Sequence, residues 1–238
     1  MPVLKNVSFT GKIGNVVCYK RNGKYCYRMM PGHVKQSKAT KVRSTNFGIA
    51  AKAAARLRSQ LTPVLPFPDD RIMQINFVGA LAKWLGREVI ADIQPTEDVP
   101  FVSNFQFNNR TNITERFRVS IVTTHPSENL FEVSFPAFVP DRSIAAPANT
   151  VSVDCNVAIA GCNLKEGIAT GSYSVALNFP FNDEKIPAQI ISLPLKTGAG
   201  NLVVISMQLQ FNILKNGIIK KNANVAFMPA GVIRAEYC

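Results

Sequence analysis

The first 68 residues contain no aspartate and no glutamate; Asp69 is the first acid in a chain of 238 residues. The same span carries thirteen lysines and arginines, all within residues 1–60. A solvated surface normally mixes both signs, so this imbalance exceeds what solubility requires. Histidine is scarce too. His33 and His125 stand far apart and neither joins a cysteine pair, so the usual ligand sets for zinc are lacking. The cysteines Cys18, Cys26, Cys155, Cys162 and Cys238 are odd in number and irregular in spacing, which argues against a disulfide framework. Buried free thiols that pack as small hydrophobes are expected instead. Apolar runs such as "NLVVISM" are far too short to span a bilayer. The opening "MPVLKNVSFTGKIGN" lacks the apolar core of a secretory signal. The expected location is therefore the cytoplasm of the producing cell, or a virion if the chain is phage-derived, with no membrane partner.

Catalytic signatures are missing as well. "FTGKIGN" spaces its glycines too closely for a Walker loop and runs into a strand rather than a helix. Those glycines read as turning and bending an edge strand. No Gly-x-Ser-x-Gly elbow occurs. Asp183 and Glu184 are adjacent, and neighbours on an extended chain point opposite ways. His125, in "TTHPSEN" between two strands, reads as a surface-loop residue. Trp84 reads as helix packing, and Lys220 and Lys221, beside an Asn-Gly turn, as solvent-facing. These features point to a non-enzyme with no metal, cofactor or small-molecule substrate.

What is present begins with "NVVCYKRNGKYCYRMMP", residues 15–31. Asn22-Gly23 tolerates the positive φ angles of a type I′ turn, so residues 12–30 read as a two-stranded hairpin. Pairing across that turn sets Arg21 against Lys24, Lys20 against Tyr25, Tyr19 against Cys26, Cys18 against Tyr27 and Val17 against Arg28. One face then gathers Val16, Cys18, Tyr25, Tyr27 and Met29, with Lys20 at its edge, and calls for burial. The other gathers Val17, Tyr19, Arg21, Lys24, Cys26 and Arg28 and calls for water or an anion. A hairpin of this size is marginal alone and must dock on something. "GHVKQSKATKVRS", residues 32–44, reads as an extended basic linker.

A helix is expected over 45–61, capped by Ser44 or Thr45, with an apolar stripe of Phe47, Ala50, Ala51, Ala54, Leu57 and Leu61. Prolines in "TPVLPFPDD" end it. Asp69 or Asp70 caps a second helix over about 71–85, with Ile72, Phe77, Leu81, Trp84 and Leu85 apolar and Gly86 as the stop. From about residue 101 the pattern turns to short strands: "FVSNFQFN", "RFRVSIVTT", "LFEVSFPAF", "TVSVDCNVAIAG", "SYSVALNFPF", "AQIISLPL", "NLVVISMQLQFNIL" and "NANVAFMP". The fold class is thus mainly β with a small α part. A basic hairpin arm and linker (1–44) and a helical hairpin (45–99) precede an antiparallel β-sandwich (100–238) of immunoglobulin-like or jelly-roll character. The sandwich is expected to fold without the rest.

"GKIGNVVCYKRNGKYCYR", the basic linker with its helix, "PAFVP" and "FMPAGV" together resemble an uncharacterised family of bacterial proteins common in Bacteroidota. In that family a "GKxGxVV" hairpin precedes a helical segment and a β-rich domain. The resemblance implies the same layout and no known activity.

The expected function is a structural protein that self-assembles as a homo-oligomer through its basic arm, with a virion or prophage-like component as one version. Virion coat proteins also combine a basic arm with a β-sandwich, which is analogy of layout. The alternative is sequence-neutral binding of DNA or RNA. The residues expected to meet an anionic partner are Lys20, Arg21, Lys24, Arg28, Lys35, Lys38, Lys41 and Arg43, with Tyr19, Tyr25 and Tyr27 stacking or docking. Asp69, Asp70, Glu97 and Asp98 are candidates for an acidic patch that the arm of a neighbouring copy could meet.

Overall fold

The computed structural model describes residues 10–32, 36–86 and 90–238. The chain divides into two compact units, one ending at Lys41 and the other beginning at Val42.

The first unit is built on a three-stranded antiparallel sheet: β1 (Gly11–Ile13), β2 (Val16–Arg21) and β3 (Lys24–Met29). Asn22 and Gly23 take φ of 51° and 78°, the two positive values that a type I′ turn needs. Every expected pair across that turn is found, from Arg21 with Lys24 to Val17 with Arg28. β1 adds a strand beyond the expected two. It pairs with β2 through a second tight turn at Gly14, whose φ of 52° a β-branched residue would resist.

Helix α1 (Lys38–Gln60) is 23 residues long and starts seven residues earlier than the sequence suggests. Ser37 is the reason. Its hydroxyl accepts from the Thr40 N–H at 3.2 Å, and its carbonyl accepts from the Lys41 N–H at 3.1 Å. The extended-linker reading of 38–44 is therefore corrected: Lys38, Lys41 and Arg43 stand on a helix. Ala50, Ala53, Ala54, Leu57 and Leu61 are buried, whereas Phe47, expected in the stripe, is 57% exposed. Helix α2 (Arg71–Leu85) begins at Asp70, whose carboxylate accepts from the N–H groups of Ile72 and Met73 at 2.8 and 3.2 Å. It stops at Gly86, φ 56°. Met73, Phe77, Leu81 and Leu85 line its buried face; Ile72 points outward.

The remaining strands form two antiparallel sheets. The smaller holds β4 (Val122–Ser127), β5 (Leu130–Phe135) and β8 (Gln189–Pro194), in the order β4-β5-β8. The larger is five-stranded, with β6 (Thr150–Asn163), β7 (Ile168–Pro180), β9 (Asn201–Lys215), β10 (Ile218–Lys221) and β11 (Ala230–Tyr237). Its path runs β10-β9-β6-β7, and β11 joins the same side of β9 as β10 but farther along it. Two four-residue helices, α3 (Ile113–Arg116) and α4 (Pro140–Ser143), sit in the connections.

Both faces of the large sheet are covered, which explains why β6 and β9 read as continuous apolar runs. Val153, Cys155, Val157 and Ile159 of β6, with Val203, Ile205 and Met207 of β9, pack against Phe131, Val133 and Phe135 of β5. That is the core of the sandwich. Ala158, Ala160, Cys162, Leu202 and Val204 face the other way, onto Ala54, Leu57, Phe77 and Leu81 of the two helices. The helices and the sandwich thus share one unit, with no division at residue 100.

Two strand assignments are corrected. "FVSNFQFN" alternates but forms a strap: the Phe107 N–H donates to the Ala230 carbonyl at 2.8 Å, and the Val232 N–H donates to the Phe105 carbonyl at 2.8 Å. A Cβ at Gly231 would meet the Phe105 carbonyl at 2.9 Å, so glycine is what lets the strap lie this close. "NANVAFMP" contains a 3-10 turn (Val225–Phe227) rather than a strand. β10 and β11 are additional. No helix among the described residues is long and apolar enough to cross a membrane.

Candidate interaction surface

Alternation sorts the first unit's sheet into two faces. Lys12, Tyr19, Arg21, Lys24 and Arg28 share one, by their pairings with Val17 and Cys26. The Arg28 guanidinium lies 5.9 Å from the centre of the Tyr19 ring, a diagonal cross-strand contact. The second face carries Ile13, Val16, Cys18, Lys20, Tyr25, Tyr27 and Met29, and here the Lys20 ammonium lies 5.6 Å from the Tyr25 ring centre. Of this set Cys18 is buried, but Ile13 is 58% exposed, Tyr27 54% and Met29 70%. The burial expected for this face is found only at Cys18 and in part at Val16: among the described residues the three short strands carry no second layer of their own.

All described members of the basic set are exposed: Lys20, Arg21, Lys24 and Arg28 on the sheet, Lys38 and Lys41 in the first turn of α1, and Arg43 in its second. Lys35 lies outside the described residues. The first turn of α1 has no acid, so its lysines add to the positive end of the helix dipole instead of offsetting it. Tyr19, Tyr25 and Tyr27 are at least one-third exposed. Asp69, Glu97 and Asp98 are exposed, and Asp70 is half-buried by its capping role.

A second polar constellation escaped the sequence reading. His125 is not a loop residue; it sits in β4, stacked on Phe131 with ring centres 3.9 Å apart. Its Nδ1 lies 2.6 Å from Oε1 of the buried Glu236 on β11. Arg234 donates from Nε and Nη2 to Glu236 Oε2 at 3.1 and 2.7 Å, and from Nη1 to the Thr123 carbonyl at 3.0 Å. The cluster ties the edge strands of the two sheets together, and both carboxylate oxygens are engaged. His125 and Glu236 are 111 residues apart in sequence, so no spacing signal announces their pairing.

The thiols are poorly placed for nucleophilic work. Burial pushes the Cys155 thiol far above its ordinary range. Burial raises Cys162 to about 11 despite nearby Arg56, and burial followed by the Glu236 charge raises Cys238 to about 11. No group of three or more His, Cys, Asp or Glu side chains that could hold a metal occurs among the described residues. Trp84 packs edge-on against Tyr237, ring centres 5.5 Å apart, and Lys220 and Lys221 are exposed.

No family model and no curated protein matches the chain. Among solved structures, a protein from Archaeoglobus fulgidus aligns at 8% identity over 50% of this chain and 93% of its own, with a TM-score of 0.23. A likeness of that size carries no inference about fold or function.

Proposed function

We propose that the chain is a non-enzymatic structural protein that assembles with copies of itself through its basic N-terminal arm. One observation supports this above all. The arm's sheet leaves Ile13, Tyr25 and Met29 exposed on one face and holds Lys12, Arg21, Lys24 and Arg28 on the other, with no acid in the segment. A sheet of that size gains its stability from a surface it lies on. In this reading the surface is a neighbouring copy, whose Asp69, Glu97 and Asp98 offer charge of the opposite sign. A virion or prophage-like component is one version of such an assembly.

The second reading, sequence-neutral binding of DNA or RNA, is favoured by the cation–ring pairs. Exposed tyrosines beside Lys20 and Arg28 are the elements that stack bases and neutralise phosphates. Particle size in low and high salt, with and without nuclease, separates the two. Self-assembly predicts multimers that survive nuclease and shrink in high salt. Nucleic-acid binding predicts multimers that nuclease abolishes. A monomer under every condition overturns the assembly reading.

A further inference from the structure

Each sheet in this protein ends in strands whose outer backbone groups lack a ladder, and such edges are normally guarded against pairing with other chains. Most of the guards are visible. β3 carries Lys24 and Arg28, and β1 is three residues long. β10 carries Lys220 and Lys221. β4 contains Pro126 and a break in register between Thr124 and Ser127. β8 is six residues long and ends at Pro194. β11 is covered by the strap at Phe105–Phe107.

β7 is the exception. It pairs with β6 along one side, and among the described residues no strand, bridge or backbone hydrogen bond occupies its other side. Its thirteen residues, "IATGSYSVALNFP", include no Asp, Glu, Lys, Arg or His. The irregular features lie at its ends: the register shift opposite Gly161 and Cys162, Gly171 at φ 145°, and Pro180. Between them Ser172–Phe179 is an unbroken open edge of about 26 Å, at ~3.3 Å per residue. Its side chains are unfinished in the same direction. Val175 and Leu177 pack on the sandwich core yet remain half-buried, and Tyr173 is 43% exposed.

We propose that β7 pairs antiparallel with β7 of a second copy across a two-fold axis normal to the sheet, joining two five-stranded sheets into one. The lack of charge identifies the occupant. In a two-fold contact each side chain meets one from the same strand, so any charge would face its own sign nearby. An uncharged strand avoids this completely, whereas a basic or acidic partner strand would gain nothing from it. The axis normal to the sheet keeps like faces together, so Val175 and Leu177 of each copy complete the other's burial. This contact uses neither the arm nor its charges and stands independently of the function proposed above.

Sedimentation velocity on the full chain, from micromolar to submillimolar concentration and in low and high salt, tests it. A dimer that persists in high salt is expected, because backbone hydrogen bonds and apolar contacts are not screened. Ser174→Lys with Ala176→Lys places cations on the exposed face of β7, where they meet their own copies in any allowed register. The dissociation constant should rise at least a hundredfold, with melting temperature and far-ultraviolet circular dichroism of the monomer unchanged. Ser174→Thr with Ala176→Thr should keep the dimer. A wild-type monomer throughout, or a lysine variant as dimeric as wild type, overturns the proposal. So does a dimer lost in high salt or on neutralising Lys20, Arg21, Lys24 and Arg28, a result that would instead support the arm.

Discussion

His125 and Glu236 meet at 2.6 Å across the two sheets, on strands β4 and β11, and Arg234 holds the other oxygen of the same carboxylate at 2.7 Å. Glu236→Ala would leave Arg234 and His125 enclosed without their acceptor. Removing one member of a buried charged set costs about 3–5 kcal/mol when burial is complete. Here the partners are about one-fifth exposed, so a loss of about 2–4 kcal/mol is expected in urea unfolding. Glu97→Gln is the control. Glu97 lies 3.8 Å from Arg234 with its side chain 92% exposed, and its loss should cost under about 0.5 kcal/mol. Equal effects from the two variants would mean that the cluster is not the clamp described.

The four cations of β2 and β3 supply an electrostatic prediction. Replacing Lys20, Arg21, Lys24 and Arg28 with Gln should leave thermal unfolding unchanged, because all four are exposed. If the partner is nucleic acid, each lost phosphate contact flattens the slope of log affinity against log salt by about 0.9 on duplex and about 0.7 on single strands. Total loss of two to four contacts should be readable by fluorescence anisotropy across a salt series. An unchanged slope would exclude these residues as phosphate contacts.

Truncation tests where the core lies. A fragment of residues 100–238 loses α1 and α2 and bares Ala158, Ala160, Leu202 and Val204 on one face of the large sheet. It should aggregate or bind a hydrophobic dye without cooperative unfolding, contrary to the independent sandwich that the strand pattern alone suggests. A chain beginning at residue 37 keeps the Ser37 cap and both helices, and should unfold cooperatively. A sharp thermal transition in the shorter fragment would show that the helices are dispensable.

Alkaline pH should destabilise the fold. Burial raises the thiols of Cys155, Cys162 and Cys238 above their ordinary value of 9.0. The native state therefore holds protons that the unfolded chain releases, and stability falls as pH rises through about 9 toward 11. Below the unfolded value the stabilisation is fully present. Each fully buried thiol contributes a slope of up to about 1.4 kcal/mol per pH unit. Cys155→Ala lowers stability at neutral pH through the cavity it leaves, yet flattens the alkaline decline. A decline of the same steepness in that variant would point to other groups.

Local chemistry made part of this protein readable from its sequence. Asn22-Gly23 admits few turn geometries, so the turn set the register of β2 on β3 residue by residue. Asp70 and Gly86 bounded α2 because a carboxylate at an N-cap and a glycine at positive φ do their work within one turn of chain. The strands β5 and β9 followed from apolar content. What local pattern could not carry was set by neighbours distant in sequence. Residues 101–108 alternate like a strand, but Gly231 on β11 lets them lie down as a strap. The first turn of α1 shows no apolar periodicity, because it is exposed and rests on the Ser37 cap. β6 and β9 are apolar on both faces, and only the packed helices explain the second. The pairing of His125 with Glu236 and the open side of β7 exist once the sheets are assembled, since each depends on which strands become neighbours rather than on what any strand contains.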